Sequence, residues 1–138
     1  PGARIASIDL PNVQTGREGS QLRLNDAIGV LNGMGHEAAV HYGDSTHADA
    51  ITFASAYGPY DLVFIDGDHS YEGCMADYTN YGPMARKYIA FHDVASTIWP
   101  CAKAWADIIA TKHQHTISVI ADTSAQPQKL MGIGVMLI

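Results

Sequence analysis

Acids and histidines gather in two short stretches of the chain: Asp66, Asp68 and His69 in "DLVFIDGDHSYEG", and His92 with Asp93 in "YIAFHDV". Carboxylate and imidazole side chains are the groups that bind divalent cations and move protons near neutral pH. Each stretch begins as an oily run and turns polar only at its end. A single Asp there would be an ordinary turn or helix-cap residue, and Asp68 can cap a helix starting near Tyr71. The pattern recurs, however: Asp9 ends "RIASIDL" and Asp44 ends "EAAVHYGD". In an open α/β sheet, ligands sit outside the carboxyl ends of the strands, so four successive polar ends point to one site.

The elements needed to position these groups can be read from the alternation of short oily runs with helical patterns, the βαβα signature of a parallel sheet. Leu24, Ala27, Ile28 and Leu31 recur at helical spacing, and Gly35 stands where a left-handed cap would end that helix. After the helical pattern "THADAITFASAYG", a further helix runs through Tyr71, Cys74, Met75 and Tyr78. Ser96 or Thr97 can cap another, with Pro100 in its first turn and Ala102, Trp105, Ile108 and Ile109 on its buried side. The run Leu62 to Ile65 reads as a buried central strand. Near the end, "HTISVIAD" and "MGIGVMLI" are joined by "TSAQPQK", too short for a crossover of about a dozen residues, so these strands should be antiparallel neighbours. The expected fold is α/β: a Rossmann-like, doubly wound, mostly parallel sheet with a C-terminal antiparallel strand pair.

The chain has 138 residues, 47% of them hydrophobic, enough for one core and one domain over residues 1–138. A formal charge of −6, with eight scattered Lys and Arg, argues against a nucleic-acid partner. No apolar stretch reaches the roughly 18 residues of a membrane span. The two cysteines, Cys74 and Cys101, form no CxxC pair, which fits reduced thiols in a cytoplasmic protein.

From Arg4 to Ile138 the chain resembles the class I methyltransferases that use S-adenosylmethionine (SAM), and among them the metal-dependent O-methyltransferases similar to the macrocin and catechol enzymes. The most specific matches are "DLVFIDGDHSYEG" and "YIAFHDV", followed by a Trp-containing helix and the closing antiparallel strands. The resemblance implies cofactor contacts from Asp9 to the ribose, from Asp44 and Ser45 beside the adenine, and from Asp66. It also implies a divalent metal, either magnesium or manganese, on Asp66, His92 and Asp93, and a general base at His69. An imidazole at His92 departs from the family's oxygen ligands and tilts metal choice away from magnesium. The family's first strand and its glycine-rich SAM turn find no match here, since the glycines of "NGMGHE" end a helix. The expectation is therefore an N-terminally incomplete domain that, alone, binds SAM at best at about the millimolar level.

The function so implied is O-methylation of a small hydroxylated molecule, with that acceptor as partner and homo-oligomerisation left open. Two alternatives stand beside it: a non-catalytic remnant of the fold that serves as a binding or assembly module, and a metal-dependent hydrolase.

Overall fold

The computed structural model describes residues 2–11, 19–111, 115–121 and 130–138, with 115–121 and Leu130 followed at the level of the backbone. The chain divides into two compact units, Pro1–Gly58 and Pro59–Ile138.

In the first unit, β1 (Arg4–Asp9) and β2 (Glu37–Tyr42) pair in parallel, with Arg4 opposite Glu37 and Asp9 opposite Tyr42. Parallel neighbours need a crossover, and helix α1 (Ser20–Gly33) lies within it. Gly35 ends this helix at φ 87°, its N–H bonded to the Asn32 carbonyl, as its position in the sequence leads one to expect. The half-buried stripe is Gln21, Leu24, Ile28 and Leu31, whereas Ala27 is exposed. Ala27 lies at the margin of the stripe and is too short to reach across it. Asn32 then clamps the chain entering β2: its Nδ2 donates to the Ala38 carbonyl at 2.9 Å and its Oδ1 accepts from the Ala38 N–H at 2.8 Å. Helix α2 (Ala48–Tyr57) follows β2 and buries Ala50 and Ala54.

The second unit is a four-stranded mixed sheet of β3 (Tyr60–Ile65), β4 (Ala85–His92), β5 (His115–Ala121) and β6 (Leu130–Leu137), in the order β3-β4-β6-β5. β3 and β4 are parallel, and β6 runs antiparallel to both β4 and β5. The antiparallel closing pair is thus present, while the "TSAQPQK" link lies outside the described residues. Helices α3 (Tyr71–Tyr81) and α4 (Cys101–Ile109) supply most of the core side chains that meet the sheet: Ile65, Ile89, Phe91 and Met136 pack with Cys74, Cys101, Ala104, Trp105 and Ile108. The Trp105 ring lies 5.5 Å from that of Phe91. It also covers Gly134, where a Cβ would come within 2.5 Å of the indole, so only glycine lets the helix approach β6 this closely.

Two sequence expectations change here. Leu62 and Phe64 are 52% and 50% exposed, against 5% for Ile65, so the run is not buried on both faces. β3 lies at an edge of its sheet, and only the face carrying Val63 and Ile65 meets the core. The second change concerns α4, which starts after Pro100 without a side-chain cap. Ser96 Oγ instead accepts the N–H groups of Ile98 and Trp99, at 3.1 and 3.0 Å. It caps the turn before the helix, because the chain has to bend there to enter α4. Among the described residues no helix is long and apolar enough to cross a membrane.

Candidate active site and metal centre

The parallel register of β3 and β4 sets Ile65 opposite Phe91. The next residue of each strand, Asp66 and His92, therefore emerges at the same carboxyl edge. Their side chains meet: Asp66 Oδ1 lies 3.1 Å from His92 Nδ1. His69 reaches the same oxygen from the following loop, with Nε2 at 3.3 Å. Donor atoms of Asp66, His69 and His92 all fall within 4.8 Å of one another.

Asp93 adjoins this cluster through its two histidines. It is buried and is the one non-glycine residue with positive φ, 56°, among the described residues. A left-handed backbone costs an L-residue free energy, and Asp tolerates it better than most. The turn sends its two oxygens to different imidazoles: Oδ1 lies 3.4 Å from His92 Nδ1, and Oδ2 lies 3.4 Å from His69 Nδ1. Neither His92 Nδ1 nor Asp93 Oδ1 makes a hydrogen bond among the described residues, although both atoms are buried. Burying polar atoms without a partner is costly. The three residues whose donor atoms converge, Asp66, His69 and His92, offer one carboxylate and two imidazoles, a donor set that suits a divalent transition metal.

The loops carrying these groups are tied together by backbone and thiol contacts. The Cys101 N–H donates to the His69 carbonyl at 3.0 Å, and the Ser96 N–H to the Asp93 carbonyl, also at 3.0 Å. The Cys74 thiol donates to the Asp68 carbonyl at 3.3 Å, and the Cys101 thiol to the Asp93 carbonyl at 3.6 Å. Burial pushes the Cys74 thiol up to about 12, so both its position and its protonation make it a structural donor rather than a nucleophile. The Asp68 carboxylate acts locally, accepting the Ser70 N–H at 2.9 Å and the Ser70 hydroxyl at 2.6 Å. Ser70, not Asp68, is the cap of α3, accepting the Gly73 N–H at 2.9 Å.

Asp9, Asp44 and Ser45 stand at the carboxyl ends of β1 and β2 in the first unit. The Asp9 carbonyl accepts the Gly43 N–H at 2.9 Å, which ties the two strand ends together. Asp9 Oδ1 accepts the N–H of Leu10 at 2.9 Å. Asp44 Oδ1 accepts both the N–H and the hydroxyl of Thr46, at 2.8 and 2.7 Å, and these bonds hold its carboxyl below the usual range. The structure thus brings Asp66, His69, His92 and Asp93 together, while Asp9, Asp44 and Ser45 belong to the other unit.

Three contributors escaped the sequence reading: Cys74 and Cys101 as thiol donors, and Trp99, whose ring meets that of His69 edge to face at 5.6 Å. The signal for Trp99 was the oily pair Ile98 and Trp99 inside a loop, just ahead of Pro100.

Residues 3–94 match the family model described as a methyltransferase domain. The chain belongs to this methyltransferase family. Comparison with curated proteins gives no match. Among solved structures, the O-methyltransferase TomG from Streptomyces achromogenes, involved in tomaymycin synthesis and solved with SAM, aligns over 96% of this chain and 61% of its own, with 16% identity and a TM-score of 0.60. The O-methyltransferase from Bacillus cereus, solved with SAH, aligns over 96% of this chain and 62% of its own, at 15% identity and a TM-score of 0.59. The MycE methyltransferase of mycinamycin biosynthesis, solved with Mg, SAH and mycinamycin VI, aligns over 99% of this chain and 45% of its own, at 16% identity and a TM-score of 0.55. At these identities the likeness establishes the Rossmann-like methyltransferase fold. The chain spans less than two thirds of the length of each of these structures.

Proposed function

We propose that the protein is a SAM-dependent O-methyltransferase acting on a small hydroxylated molecule, and that residues 1–138 form one domain of it. The family model supports the single-domain reading, since its match over residues 3–94 covers most of the first compact unit and continues into the second. The observation that carries the functional reading is the convergence of Asp66, His69 and His92 donor atoms within 4.8 Å, beside a buried Asp93.

Asp66, His92 and Asp93 would hold a divalent cation, and such an ion lowers the pKa of a hydroxyl bound to it. His69 is the base that takes the acceptor's hydroxyl proton. Its Nδ1 faces Asp93 Oδ2 at 3.4 Å and its Nε2 faces Asp66 Oδ1 at 3.3 Å, so both ring nitrogens stand against a carboxylate oxygen. Transfer from a sulfonium is an in-line displacement, which needs the oxygen deprotonated and held against the methyl group. Asp9, Asp44 and Ser45 are assigned to the nucleoside part of SAM, and Asp66 to a further cofactor contact. The free thiols Cys74 and Cys101 support a cytoplasmic setting.

Methyl transfer from SAM to hydroxylated acceptors, measured with and without added Mn or Mg, tests the reading. His69→Ala is expected to lower kcat by about 100-fold or more. Full activity in that variant would remove His69 from the mechanism.

A further inference from the structure

Two acids are buried among the described residues, Asp93 at 5% exposure and Asp77 at 6%. Asp93 stands against the histidines of the candidate site, whereas no step of the proposed chemistry uses Asp77. It lies on the face of α3 that also buries Cys74 and Tyr81, about one turn to either side of it. Burying an acid costs free energy that an apolar side chain does not, so packing alone does not call for Asp at this position. What Asp77 meets is the turn after β3. A Cβ built on Gly67 would lie 3.0 Å from Asp77 Oδ2, with no other atom beyond its chain neighbours within 4 Å. Gly67 is exposed, and the glycines with positive φ among the described residues are Gly19 and Gly35. The backbone at position 67 therefore does not require glycine, whereas the approach of the Asp77 carboxyl does. Gly67 joins Asp66, whose Oδ1 lies 3.1 Å from His92 Nδ1 and 3.3 Å from His69 Nε2, to Asp68, whose carbonyl accepts the Cys74 thiol at 3.3 Å. The buried face of α3 thus touches this turn at two points, and one of them is the residue next to Asp66.

We propose that Asp77 is a positioning residue: its buried carboxyl seats the turn at Gly67 and so fixes the direction in which Asp66 presents its own carboxylate to His69, His92 and a divalent cation. The inference rests on the metal reading above. Groups that orient a ligand without touching the ion are commonly worth about ten- to a hundredfold in affinity. An oxygen seated against an α-carbon leaves no room for a side chain there, so Gly67 and Asp77 act as one unit. Changing either moves the turn, and changing the second after the first adds little, the mark of residues that share one contact.

The test titrates the full-length protein with Mn alone by calorimetry, so that no turnover enters the result. Asp77→Ala and Gly67→Ala should each weaken Mn binding by about tenfold, and the double variant should fall no more than about twofold below Asp77→Ala. Asp77→Asn keeps an oxygen and the size of the side chain, and should recover most of the affinity that Asp77→Ala loses. Tyr81→Leu is the control for structure alone: it disturbs the same buried face of α3 and should lower the urea unfolding midpoint while leaving Mn affinity unchanged. Should Asp77→Ala fail to fold, Gly67→Ala decides, since position 67 is exposed and its backbone accepts a side chain. Unchanged Mn affinity in folded Asp77→Ala or Gly67→Ala, losses that add in the double variant, or an Asp77→Asn variant as weak as Asp77→Ala would each overturn the proposal while leaving the metal site in place. A parent protein that binds no Mn would instead bring down the metal reading, and this inference with it.

Discussion

His69 Nδ1 and Asp93 Oδ2 lie 3.4 Å apart, although they come from loops that follow different strands. The contact depends on the left-handed backbone of Asp93. An extended residue after β4 would send its carboxylate elsewhere, and both histidines of the cluster would lose a neighbour.

Replacing Asp93 should therefore separate backbone from charge. Asn also tolerates positive φ, so Asp93→Asn is expected to keep the fold while weakening metal binding by about tenfold, the loss of one charged donor. Asp93→Val puts a β-branched residue at φ 56° and should cost about 1–3 kcal/mol of stability. Urea unfolding midpoints of the two variants, side by side, measure the difference.

Metal choice follows from the donors. With imidazole from His92 beside carboxylates, Mn should bind more tightly than Mg, which prefers oxygen ligands. Asp66→Ala and His92→Ala are each expected to weaken Mn binding by at least about tenfold. Titration calorimetry checks this without any turnover, and equal affinity in parent and variants would place the metal elsewhere.

Gly73→Ala should damage the loop that carries His69. A Cβ at position 73 would fall 2.6 Å from the Cβ and Cγ of Asp68, the residue that braces the Ser70 cap. Displacing that carboxylate should cost about 1–3 kcal/mol, visible as a lower melting temperature, with metal affinity falling in parallel because Asp66 and His69 flank the same turn.

Alkaline pH should expose the buried thiol. Burial raises the Cys74 thiol from an ordinary value of 9.0 to about 12, so over that interval the unfolded chain releases a proton that the native protein retains. The associated stability is complete below about pH 9 and declines as pH rises towards 12. The parent should thus lose stability between about pH 8 and about pH 10.5 more steeply than Cys74→Ala, as read from urea midpoints at those two pH values. Parallel slopes would mean that the Cys74 thiol does not titrate on unfolding.

Much of this arrangement was determined by the sequence alone, because its signals are local. Alternating oily runs and helical spacings marked out the β and α elements, Gly35 marked the end of α1, and a short link announced an antiparallel closing pair. Since neighbouring parallel strands in register end at one edge, the positions of Asp66 and His92 at strand ends already placed them together. Tertiary structure decided what depends on partners distant in sequence. Leu62 and Phe64 look as buried as Ile65 in the sequence, yet α3 and the core meet only the other face of β3. Asp93 reads in the sequence as one more strand-end acid, and only the fold shows that its positive φ turns it between two imidazoles. Ser70 rather than Asp68 caps α3, and Ser96 caps a turn rather than a helix, because a hydroxyl or carboxylate bonds whichever N–H the folded loop presents. Trp99 and Trp105 are the same residue type six positions apart. Only the path of the loop and the gap over Gly134 send one to the core and leave the other beside His69.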